Sequence, residues 1–238
     1  LEVRVNGEVV PRGAFASAKA FELLAYLVVH RAESVTIDRA LEALWPGEPN
    51  RAKTAFHTAL YRLRGALRRG DDDATKFVLV QAGHYRLDAA RFDVDVDRFE
   101  ALVSQAREAP QERRATLLEE ALTLVRGELL AGLDRGWIDL ERRRLADAVR
   151  DARVRLAEAH LAAGRDARAL AVARDAIAAD PLDEHAYLLE MRAHRAAGDV
   201  AGIERAFRSL STALEGELGV RPAPETERAY RRLTGRDA

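Results

Sequence analysis

At 238 residues the chain suits two domains of about 100–150 residues each. A hydrophobic share of 48% supplies real cores and argues against wholesale disorder, and a charged share of 32% with abundant Ala, Leu, Arg and Glu favours helices. The net charge of -1 excludes a uniformly basic protein, but residues 1–90 carry 13 basic and 11 acidic residues, a net of +2, whereas residues 91–238 carry 25 and 28, a net of -3.

The first ten residues alternate apolar and polar side chains around Asn6-Gly7, which predicts a β-hairpin because both residues tolerate positive φ. Ser17 is placed to cap a helix running to about Arg31, with Phe21, Leu24 and Val28 on one stripe and Leu23 and Leu27 beside it. Thr36 can cap a second helix whose apolar face is Ile37, Leu41 and Leu44. Trp45 stands at its end as a core aromatic, and Pro46 stops it. Pro46-Gly47-Glu48-Pro49 reads as a loop, and Asn50 as the cap of a third helix that ends near Gly70. Asp71-Asp72-Asp73 reads as a solvated loop rather than a cation site. Phe77–Val80 and Tyr85–Leu87 then form two short strands joined by a tight turn. From Phe92 onward the periodicity predicts helices only, near 95–109, 112–126, 138–163, 167–179, 184–197, 200–217 and 224–233. Gly164 and Gly198 lie 34 residues apart, each in an Ala-Ala-Gly turn, the period of tetratricopeptide helix pairs; a plain helical bundle is the alternative.

The third helix carries the chemistry. Phe56, Leu60, Leu63 and Leu67 recur at steps of four, three and four and form one core stripe. The opposite face then holds Arg51, Thr54, Thr58, Tyr61, Arg62, Gly65 and Arg69, with His57, Arg64 and Arg68 on its flanks. No acidic residue occurs between Asn50 and Gly70. Guanidinium groups can pair bidentately with guanine, and Thr or Tyr can meet a thymine methyl or a phosphate, so this face suits duplex DNA. A solvated surface helix, or a winged helix that docks another protein inside a larger signalling protein, would share the same periodicity.

Several segments resemble a known family. Glu42-Ala43-Leu44-Trp45-Pro46, then Thr58-Ala59-Leu60-Tyr61-Arg62-Leu63-Arg64-Gly65-Ala66-Leu67, then Gly83-His84-Tyr85-Arg86-Leu87 resemble the OmpR-type winged helix, in the version of the SARP antibiotic-pathway regulators. Asp93–Phe99, Asp180-Pro181-Leu182-Asp183-Glu184 and Leu214–Pro222 resemble the bacterial transcriptional activator domain. The resemblance implies a mainly α chain: a winged-helix (α+β) DNA-binding domain over 1–90, followed by an all-α tetratricopeptide-like domain over 91–238. It also implies that the third helix enters the major groove, with Arg51, Thr54, His57, Thr58, Tyr61, Arg62, Arg64 and Arg68 at the DNA, and that the terminal hairpin is a wing near the minor groove. Direct repeats would be bound head to tail. The loop of Gly47, Glu48 and Asn50 would touch RNA polymerase, and the helical domain would support a homodimer. The wing tip Gln81-Ala82-Gly83-His84 lacks the Arg often found there in the family, which shifts that contact to Arg86 or Lys76. Gly65 stands where the family often has a basic residue.

Other function classes find no support. There is no phosphate-binding Gly-rich loop, nucleophile elbow or paired metal-ligand histidines, and no cysteine, so no enzyme, cofactor or metal is expected. With no apolar run near the roughly 20 residues of a membrane span and no secretory pattern, the expectation is a cytoplasmic protein with no membrane partner. The start at Leu1 rather than Met suggests a piece of something longer.

Overall fold

The computed structural model describes residues 3–5, 8–47, 49–68 and 76–236. The predicted Asn6-Gly7 turn and the Asp71–Asp73 loop lie outside the described residues, as do Glu48 and Arg69. The chain divides into two compact units. One comprises residues 1–98 together with 127–144; the other comprises 99–126 with 145–238.

In the first unit β1 (Val3–Val5) and β2 (Glu8–Val10) pair antiparallel, Val5 opposite Glu8. Helix α1 (Ala18–Val29) begins as the sequence indicates, the Ser17 hydroxyl oxygen accepting from the Ala20 N–H at 3.2 Å. Helix α2 (Ile37–Leu44) starts the same way, Thr36 accepting from the Arg39 N–H at 3.3 Å. These oxygens satisfy N–H groups that a helix start leaves without partners. Helix α3 (Pro49–Leu67) begins one residue before the expected cap Asn50. Proline suits a first helical turn, where its missing N–H would find no intrahelical acceptor.

One strand escaped the sequence reading. β3 (Val35–Thr36) pairs antiparallel with β5 (His84–Leu87), which pairs with β4 (Val78–Gln81), giving the order β3-β5-β4. Two residues leave no alternation to detect; Val35 is in the sheet because it faces Tyr85 across the ladder. At the hairpin tip Ala82 (φ 49°) and Gly83 (φ 77°) are both left-handed, the geometry whose twist matches the two strands.

Residues 127–144 join this unit by side-chain burial. Leu130 and Ile138 pack with Ala25 of α1 in one apolar cluster, and the Trp137 ring meets Tyr26 edge-on at 5.0 Å. The loop before it is gathered by one guanidinium: Arg142 donates to the carbonyls of Leu129 (2.9 Å), Leu130 (3.0 Å) and Leu133 (3.0 Å). A purely linear division at residue 90 does not capture this return of the chain.

The second unit contains most of the helices α4 (Asp95–Glu108), α5 (Gln111–Thr123), α6 (Gly136–Ala162), α7 (Asp166–Ala179), α8 (Glu184–Ala196), α9 (Val200–Leu218) and α10 (Pro224–Thr234). Their order and approximate bounds follow the periodicity. The 34-residue spacing is physical. Gly164 and Gly198 occupy equivalent turns; fully buried Ala169, Ala173 and Ala176 in one repeat match Ile203, Phe207 and Leu210 in the next. Buried histidines recur at the same step: His160 faces Glu119 at 3.3 Å, and His194 faces Asp199 at 2.9 Å. The Asp-Pro-Leu-Asp-Glu segment consists of turn and cap residues. Asp180 accepts from the Leu182 N–H and Asp183 from those of His185 and Ala186, and Glu184 reaches the Ala223 N–H at 2.9 Å, fastening the start of α10.

Candidate nucleic-acid interface

The orientation of α3 is set by its apolar stripe. Phe56, Leu60, Leu63 and Leu67 are all buried, joined by Ala52, Ala59 and Ala66. Phe56 is the pivot: its ring meets Tyr85 of β5 at 4.8 Å and Trp45 at 6.2 Å, both edge-on. Trp45 is core, as expected, and so is Tyr85. Lys19 fixes the approach to α3 from the other side. Its ammonium donates to the Leu44 carbonyl at 2.6 Å and to Glu22 at 2.9 Å, and lies 5.5 Å from the Trp45 ring centre. Burial disfavours the charged form of Glu22, but Arg135 (3.1 Å) and Lys19 outweigh it and hold the carboxyl below its ordinary range.

With the stripe inward, Arg51, Lys53, Thr54, His57, Thr58, Tyr61 and Arg62 are all exposed on α3, as is Arg68 just after it. Tyr61 stands out at 80% exposure. Among the described residues no acidic side chain pairs with Arg51, Lys53 or Arg62, so their charge is directed to solvent. Thr58 donates its hydroxyl to the Thr54 carbonyl at 2.9 Å, leaving its oxygen as acceptor and its methyl group.

Arg64 behaves differently from its neighbours. It is half-buried and donates to the Val78 carbonyl of β4 at 2.7 Å, bracing α3 against the hairpin. The sequence placed it on the flank of the outward face; only the course of β4 shows what that flank meets. Arg86 on β5 and Lys76 before β4 are exposed, so the hairpin adds basic groups to the same unit. Gly47 lies in the exposed turn after α2, and the backbone of Asn50 lies in the first turn of α3. Among the described residues no group of His, Asp or Glu could hold a metal ion, and no helix is long and apolar enough to cross a membrane.

The model of the family described as bacterial transcriptional activator domain matches residues 94–234, more than half of the chain. The chain belongs to that family. It is 27% identical over 98% of its length to the transcriptional regulatory protein MoaR1 of Mycobacterium tuberculosis, of which it spans 76%. It is 30% identical over 98% of its length to the regulatory protein AfsR of Streptomyces coelicolor, of which it spans 23%. It is 26% identical over 94% of its length to the transcriptional regulatory protein EmbR of Mycobacterium tuberculosis, of which it spans 58%. The solved structure of Mycobacterium tuberculosis EmbR in complex with a low affinity phosphopeptide superposes with a TM-score of 0.87 at 24% identity, covering 100% of this chain and 64% of that one, which shows a shared fold. The SARP-type resemblance and the mainly α, winged-helix-plus-helical architecture are thereby borne out. The family is one of transcriptional regulators, not of enzymes.

Proposed function

We propose that this chain binds a specific DNA duplex by laying α3 in the major groove, and that it acts in the cytoplasm as a transcriptional activator. The observation that carries the reading is the outward face of α3, basic, exposed and free of carboxylates, on which Arg51, Lys53 and Arg62 pair with no acidic side chain among the described residues. Thr54, Thr58, Tyr61 and Arg62 face the base edges, while Arg51, His57, Lys53 and Arg68 lie toward the phosphates. Arg86 serves the wing. Arg64 holds the hairpin to α3 and reaches the DNA only with its remaining donors. The loop of Gly47, Glu48 and Asn50 meets RNA polymerase, and the helical unit joins two copies on direct repeats.

If Arg51, Lys53, Arg68, Lys76 and Arg86 each neutralise a phosphate, log K against log[salt] falls with a slope of about -4 to -5. Titration of a duplex selected from a random pool measures it. A slope near zero, or failure to enrich any duplex, removes the reading.

A further inference from the structure

We propose that Tyr61 and Gly65 form an apolar slot on α3 that takes the 5-methyl group of a thymine, making the pair a determinant of sequence preference. This rests on the DNA-binding reading above.

At about 100° per residue, Gly65 and Thr58 lie within about 10° of the line directly opposite the buried stripe, and Tyr61 and Arg62 straddle that line about 50° to either side. Between Thr58 and Gly65 the outermost ridge of the helix is therefore uncharged, and Tyr61 stands beside it. Gly65 has no structural reason to lack a side chain. Its φ is not left-handed, it lies inside a helix that ends two residues later, and a Cβ added there would meet nothing within 4 Å. Glycine at such a position costs helix stability relative to alanine. What it provides is an absence. Helical side chains lean toward the N-terminus, so a residue at position 65 would lie over the one four before it, which is Tyr61. Tyr61 is 80% exposed, and no side chain at position 65 stands over it. Thr58, whose hydroxyl hydrogen is committed to the Thr54 carbonyl, contributes a methyl group on the same ridge. In the major groove the apolar feature presented by a base pair is the thymine methyl, and an uncovered ring beside a bare backbone is shaped for it.

The test replaces thymines singly by deoxyuridine in a duplex selected by the full chain, which removes one methyl and no hydrogen bond. For the unmodified protein, at least one position per half-site should lose about fourfold in affinity, the scale of one buried methyl group. Gly65→Leu, which covers the ring, should bind the thymine and uracil duplexes alike, as should Tyr61→Ala. Gly65→Ala should raise the melting temperature while lowering discrimination, a combination that a purely structural role for Gly65 does not produce. Specific, salt-sensitive binding with no thymine–uracil difference at any position overturns the slot and leaves the DNA-binding reading intact. Discrimination that survives in both Gly65→Leu and Tyr61→Ala assigns the methyl to another residue and also overturns it. Failure to bind any selected duplex removes both readings.

Discussion

Ile138 tests whether residues 127–144 stabilise the unit that carries α3. Its side chain is fully buried with Ala25 and Leu130. Ile138→Ala removes three carbons, about 2.4 kcal/mol of transfer free energy at roughly 0.8 kcal/mol each, and the cavity left behind raises the expected loss to about 3–4 kcal/mol. The chain's two tryptophans, Trp45 and Trp137, both belong to the first unit, so urea unfolding followed by tryptophan fluorescence reports that unit alone. The fluorescence midpoint should fall, and a loss of this size corresponds to roughly 12–16 °C in melting temperature. Leu140, two residues on and 74% exposed, is the control; Leu140→Ala should cost less than about 0.5 kcal/mol. A fluorescence transition that Ile138→Ala leaves within 1 kcal/mol of the parent refutes the placement of 127–144 with α1.

Gly202→Ala should destabilise the second unit by about 2–3 kcal/mol in thermal unfolding, because its Cβ collides with His194 Nδ1 and Asp199 Oδ2 and disturbs the N-cap that Asp199 gives α9. Ala82→Gly should stabilise the first unit by about 0.5–1 kcal/mol, since Ala82 is held at positive φ. Glu22 is held ionised below its ordinary value of 4.5, so its contribution is complete above that pH and is lost as pH falls through the lower folded value; in acid titrations followed by fluorescence, Glu22→Gln should flatten this part of the stability profile. Arg62→Ala should cost about 1–3 kcal/mol on the selected duplex and relax preference at one base pair, whereas Arg68→Ala should weaken selected and random DNA alike and make the salt slope shallower by about one; competition binding separates them.

Much of this was legible because local chemistry and tertiary packing agree. Ser17 and Thr36 cap the helices their positions announce, and the four-residue stripe of α3 is buried without exception. The helical periods of the second unit follow from Ala- and Leu-rich faces that need no distant partner to be recognised. What escaped depends on long-range neighbours. Val35–Thr36 is too short to carry a strand pattern and is defined by β5, about fifty residues later. Arg64 resembles Arg62 in sequence, yet one guanidinium is half-buried against the Val78 carbonyl and the other is exposed. Ile138 reads as an ordinary apolar position of a long helix, and nothing around it names Ala25 as its neighbour.

Because the first unit is assembled from 1–98 and 127–144, the chain passes from one unit to the other at three places in its sequence, the last of them within α6. A single crossover in the gene therefore cannot exchange the first unit whole without splitting the second. A hybrid that takes residues 1–98 from one parent inherits Leu130, Trp137 and Ile138 from the other, against an α1 they were not matched to. Shuffling of operator specificity among such regulators should accordingly favour substitutions on the exposed face of α3, which leave that mosaic untouched, over exchange of the whole N-terminal segment.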